Sequence, residues 1–127
     1  MRTKILSFVI LLALTCFSAN AAFLKDFFEF KGNVGTESVM GAFAISESKT
    51  YGTFVYNLSS PMYDLRCTSC KSIGGGKYQI NFKVELEGKN YGTWSITYNS
   101  ITRKATGTMK NSKGKSLKID LYDYTRR

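Results

Sequence analysis

Between residues 77 and 87 apolar and polar side chains alternate without a break: Tyr78, Ile80, Phe82, Val84 and Leu86 occupy every second place, with Gln79, Asn81, Lys83 and Glu85 between them. A period of two puts all five on one face of an extended chain, whereas a helix would scatter them around its circumference. The stretch is therefore a strand with one buried and one wet face, the habit of antiparallel sheets.

The next run, residues 91–98, carries Trp94, Ile96 and Tyr98 in the same phase. A slip of one residue would turn every side chain to the other face, so the connection must keep both apolar sets together. Pairing Val84 with Trp94, Phe82 with Ile96 and Leu86 with Gly92 does so and leaves Gly88, Lys89 and Asn90 as a three-residue loop; in a regular ladder a two-residue loop would turn Trp94 outward. By the same logic Val39, Gly41, Phe43 and Ile45 pair with Leu58, Tyr56, Phe54 and Gly52 through a loop at residues 47–50. The two hairpins superimpose, residues 49–54 on 89–94, as a weak internal repeat. A third hairpin sets Ala105, Gly107 and Met109 against Leu117, Ile119 and Leu121 around a loop at 111–115, small opposite large. Phe28 and Phe30 mark a further strand near residues 26–31. Residues 59–76 read as irregular, with a short strand at 62–66.

Strands at regular spacing, with no long helical pattern, predict an all-β fold: a small antiparallel up-and-down barrel or sandwich of about seven to eight strands built from hairpins. A closed or nearly closed barrel is preferred. Its interior is filled by side chains or holds one small ligand.

Residues 1–22 precede all of this. Arg2 and Lys4, the apolar run at 5–17 and the small residues Ala19, Ala21 and Ala22 follow the order of a cleaved secretory signal peptide. The expectation is a single domain at 23–127, secreted or periplasmic, with no integral membrane insertion once the leader is gone.

Several chemistries are disfavoured by composition. The chain has no histidine, which removes histidine bases, Ser-His-Asp and Cys-His catalysis and most catalytic zinc sites. Glu85 and Glu87 read as solvated face charges beside Lys83 and Lys89. Gly74, Gly75 and Gly76 lack the Lys-Ser/Thr ending of a phosphate loop and read as a flexible turn. Cys67 and Cys70 form the one C-x-x-C after the leader. Glycines follow where a redox motif would start a helix, and two further metal ligands are missing, so the expectation is a disulfide stapling an irregular loop. No enzyme, no metal and no cofactor are expected.

Charge is more informative. Of the 18 basic and 9 acidic residues, residues 23–100 hold 8 and 7, whereas residues 101–127 hold 8 and 2. The excess sits on the last hairpin and tail, with Lys104, Lys110 and Lys118 on its solvent face and Lys113 and Lys115 at its loop. Such a patch suits an anionic macromolecule or acidic protein, although it also serves solubility and blocks sheet-edge pairing. Tyr51 and Tyr91, in equivalent outward places of the two similar hairpins, are expected to add a contact surface. Phe43, Phe54, Phe82 and Trp94 face inward as core or, in a second reading, as the lining of a cavity for a small hydrophobic ligand. The expected function is a secreted or periplasmic non-enzymatic binding domain that docks an anionic macromolecular partner, a protein or cell-surface polymer. The alternative is a carrier.

Overall fold

A computed structural model describes residues 24–46, 49–57 and 59–124; the expected leader lies outside them. Eight strands follow one another as β1 (Leu24–Val34), β2 (Glu37–Ser46), β3 (Thr50–Val55), β4 (Tyr63–Gly74), β5 (Lys77–Leu86), β6 (Lys89–Asn99), β7 (Lys104–Asn111) and β8 (Ser116–Asp123). Each pairs antiparallel with the next, and β8 pairs back to β1, closing an up-and-down barrel. Closure removes the free edges that an open sheet would expose.

The inward faces are the expected ones, but two registers differ by two residues. In the β5–β6 hairpin Phe82 lies opposite Trp94 and Ile80 opposite Ile96. The turn is only Glu87 and Gly88, both left-handed at φ 52° and 80°, the signature of a two-residue type I′ turn. A bulge then offsets the ladder, Val84 facing Gly92 while Glu85 faces Asn90. Tyr91 is the additional residue, and it restores the parity that keeps Trp94 inside. In the β2–β3 hairpin Gly41 faces Phe54 and Phe43 faces Gly52. Each ring thus has a glycine opposite, where an added Cβ would run into the backbone and Cβ atoms of the facing strand. The β7–β8 register is the expected one, with Ala105 against Leu121, Gly107 against Ile119 and Met109 against Leu117.

The largest departure is β4. Twelve residues, including those expected to be irregular, form one long strand against β5. The polar and glycine-rich sequence hid it, because pairing to the strongly patterned β5 supplies the ladder that local propensity does not.

The interior is packed with aromatic rings. Phe28, Phe30, Phe43, Phe54, Phe82, Trp94 and Tyr98 are all at or below 1% exposure. Their neighbouring centroids lie 4.7–6.2 Å apart, as in Phe28–Tyr98 at 4.7 Å and Phe30–Trp94 at 6.2 Å. Burying each such ring contributes about 1.5–3 kcal/mol.

Because successive strands reverse, the connections alternate between the barrel's ends. The β1–β2, β3–β4, β5–β6 and β7–β8 connections gather at one end, the lysine end. The opposite end carries the other connections, the start of β1 and the close of β8. There Arg103, in the β6–β7 turn at φ 58°, fastens three elements. Its Nη1 donates to Asp26 Oδ1 at 2.9 Å and to Tyr98 Oη at 2.8 Å, its Nε to Asp123 Oδ2 at 3.0 Å, and its Nη2 to the Phe27 carbonyl at 2.9 Å. The guanidinium also lies 5.5 Å from the Phe28 ring centroid. Tyr98 Oη in turn donates to Asp26 Oδ2 at 2.6 Å. Burial and then the bonded Asp26 carboxylate push the Tyr98 phenol far above its usual range, so it stays a neutral donor. This arginine end is clamped.

Candidate functional site

At the lysine end, the bulged Tyr91 leans over the mouth and meets Tyr63 edge to face at 5.7 Å; Tyr63 meets Tyr56 edge to face at 5.5 Å. Tyr63 is stacked on the core ring Phe54 at 5.3 Å, which fixes its plane. With Val84, Met109 and Leu117, the three tyrosines line a hollow of about 280 Å³, and Asn111, Ser112 and Lys113 of the β7–β8 loop form its rim. Burial, then the nearby Tyr63 and Glu37, raise the Tyr56 phenol, so it remains protonated and offers a hydroxyl.

Asn111 organises the rim. Its side-chain oxygen accepts from the backbone N–H groups of Lys113 and Lys115, both at 3.0 Å, while its own N–H donates to the Lys115 carbonyl at 2.9 Å. An asparagine at a turn start is suited to such local bonds. The loop is thereby ordered with Lys113 and Lys115 exposed on it. Lys110 and Lys118 are exposed beside them on the outer faces of β7 and β8.

The remaining expected partner-binding residues lie elsewhere. Lys104 begins β7 at the arginine end, opposite Tyr122. Asp120 stands between Tyr122 and Lys118 on the outer face of β8, so the five lysines are not one continuous patch. Tyr51 is the second residue of β3 and is also at the arginine end, half-buried, its Oη donating to Asp64 Oδ1 at 2.9 Å. The similarity of the two hairpins is therefore not a shared surface: the β2–β3 and β5–β6 connections point to opposite ends. Tyr56 and Tyr63 join Tyr91 instead. The available signal was that they flank the β3–β4 connection, which an eight-stranded meander places beside the β5–β6 turn.

Phe43, Phe54, Phe82 and Trp94 do come together, at the centre of the core. Phe43 meets Phe82 at 5.6 Å and Phe54 meets Trp94 at 4.7 Å. The rings occupy the middle of the barrel themselves, and neither end hollow is lined by any of the four.

Cys67 and Cys70 stand as free thiols on strand β4 rather than bridged across an irregular loop, which corrects the expected disulfide. A bulge between Cys67 and Ser69 absorbs Thr68, so that Cys67 faces Phe82 and Cys70 faces Ile80. In a regular strand positions three apart would lie on opposite faces. Here both thiols reach the inner side, two ladder steps apart, packed against the core. Burial and then the neighbouring Cys70 raise the Cys67 thiol, against smaller opposing effects of hydrogen bonds from the Ser69 backbone and the Thr50 hydroxyl. With Lys25, Ile45, Ser46, Lys49, Thr50, Tyr51, Arg66 and Tyr78 they line an open polar cleft of about 370 Å³. Among the described residues no group of three or more His, Cys, Asp or Glu side chains could hold a metal ion.

No protein-family model, curated protein or solved structure matches this chain.

Proposed function

We propose that the chain is a secreted or periplasmic, non-enzymatic binding domain that docks an anionic macromolecular partner, an acidic protein or a cell-surface polymer, at the lysine end of its barrel. One observation carries the reading: the register brings Lys110, Lys113, Lys115 and Lys118 to the same end as a tyrosine-lined hollow. Ammonium groups at the rim steer and hold anionic groups, and tyrosines bury large rigid surface while keeping a hydroxyl for hydrogen bonding. Lys104 and Tyr51, at the other end, are not part of this surface. The absence of histidine and the commitment of Glu85 to Arg66, through two bonds of 3.1 Å, favour binding over acid–base chemistry.

The test is salt-dependent retention on an immobilised sulfated polysaccharide. The triple variant K113E/K115E/K118E is expected to elute at clearly lower salt than the parent, while K104E elutes with the parent. Unchanged retention of the triple variant would reject the surface. Because exposed charges are screened beyond about 8–10 Å at ordinary ionic strength, the difference should shrink as salt rises.

A further inference from the structure

The cleft at the arginine end lies away from the proposed docking surface and is chemically unlike it. Among the described residues its charged lining side chains are all cationic: Lys25, Lys49 and Arg66. Arg66 is already held by Glu85 at 3.1 Å. Among the described residues no carboxylate lies within ion-pair distance of Lys25 or Lys49. The rest of the lining is rich in hydroxyls, from Ser46, Thr50, Thr68, Ser69, Ser72 and Tyr78. The nearby carboxylates among the described residues have other partners, Asp64 taking the Tyr51 hydroxyl and Asp26 taking Arg103 and Tyr98.

A cleft with two ammonium groups, several hydroxyls and no lining carboxylate among the described residues suits a ligand that is anionic and rich in acceptors. A volume of about 370 Å³ falls in the range of small-molecule sites. It exceeds what a bare oxyanion fills and suits a group of monosaccharide size. We propose that this cleft binds a phosphate monoester, with the phosphate on Lys25 and Lys49 and the ester body over the β4 bulge beside Cys67 and Cys70. Compact ammonium groups hold phosphate as point charges, and hydroxyls complete the acceptor shell. The same chemistry is offered by a free sugar phosphate and by a phosphatidic acid headgroup.

The two thiols report on occupancy, since the only other cysteine of the chain is Cys16. Maleimide labelling of Cys67 and Cys70 is followed by peptide mass spectrometry with and without glucose 6-phosphate. The sugar phosphate is expected to slow labelling several-fold and glucose to leave it unchanged. K25E/K49E should weaken the protection about tenfold, the usual scale for losing a charge-assisted contact, while K113E/K115E retains it. In a second arm, vesicles of phosphatidylcholine with or without phosphatidic acid replace the sugar phosphate. Protection by the acidic vesicles alone assigns a membrane headgroup, and protection by the sugar phosphate alone assigns a soluble ligand. No protection in either arm, or protection that survives K25E/K49E, overturns the proposal. Loss of polysaccharide retention in K113E/K115E/K118E bears only on the other end.

Discussion

The two ends of this barrel solve the same geometric problem with opposite chemistry. At the arginine end one guanidinium gathers the start of β1, the end of β6 and the close of β8, using four hydrogen bonds and the face of a phenylalanine. At the lysine end three tyrosines packed edge to face fill the mouth only partly, and the charges beside them, Lys113 and Lys115 of the rim and Glu37 near Tyr56, are exposed. The lesson is that closing a sheet and offering a surface make conflicting demands. Closure wants charges neutralised and half-buried. Recognition wants them uncompensated and wet.

Substitutions should separate these demands. The largest effect is expected for Arg103→Met, which removes the shared cation and leaves Asp26 and Asp123 facing each other without it. Loss of a partly buried ion-paired group of this kind costs about 3 kcal/mol, measurable by urea unfolding. Amide exchange should accelerate first along the β1–β8 ladder at Lys31 and Tyr122, close to the clamp, while β5–β6 amides stay protected. Equal acceleration in both ladders would mean that the clamp does not specially hold the seam. Tyr98→Phe keeps the ring and removes only the hydroxyl that bridges Asp26 and Arg103, so a loss of about 1–2 kcal/mol is expected. At the lysine end, K113E/K115E/K118E should change stability by less than about 0.5 kcal/mol, as exposed substitutions usually do, although it lowers polysaccharide retention.

The cysteines sharpen the contrast in a pH experiment. Because burial raises the Cys67 thiol, its reactive thiolate forms only at more alkaline pH than that of an ordinary cysteine. In a Cys70→Ser protein, alkylation of Cys67 should be slow near neutrality and climb later with pH than for a free cysteine peptide. Unfolding in urea should erase the delay. A curve matching the peptide would show that the β4 bulge does not shelter the thiol.

How much of this was readable in the residues differs between the elements. Alternation at 77–87 disclosed β5 and the inward place of Trp94, because a period of two is a property of the strand itself. It could not disclose that Tyr91 is a bulge, since a three-residue loop and a two-residue turn plus a bulge give the same parity. Phe43 and Phe54 were placed on the right face but opposite each other. The small-opposite-large rule that located Ala105 and Leu121 would also have set Gly52 against Phe43. β4 escaped because its glycines, serines and cysteines carry little pattern and its ladder comes from β5. The Arg103 clamp was legible only after closure: once β1 and β8 are neighbours, Asp26 and Asp123 must come to the same end, where the β6–β7 turn delivers a cation. Of the expected surface, Lys110, Lys113, Lys115, Lys118 and Tyr91 share the lysine end, whereas Tyr51 and Lys104 do not, because a meander sends alternate hairpins in opposite directions.

That alternation also fixes what can be attached to the molecule. Tyr124 donates its backbone N–H to the Glu29 carbonyl at 2.9 Å, so the close of β8 lies beside the middle of β1, whose first residue, Leu24, stands five residues further toward the same end. A fluorescent reporter, an affinity handle or a solid support fused directly before Leu24 or after Tyr124 therefore departs from the arginine end, pointing the tyrosine mouth into the medium. By the same token, a linker from Tyr124 back to Leu24 and a new opening in the exposed loop at Gly114 should yield a circularly permuted barrel with its eight-stranded order intact.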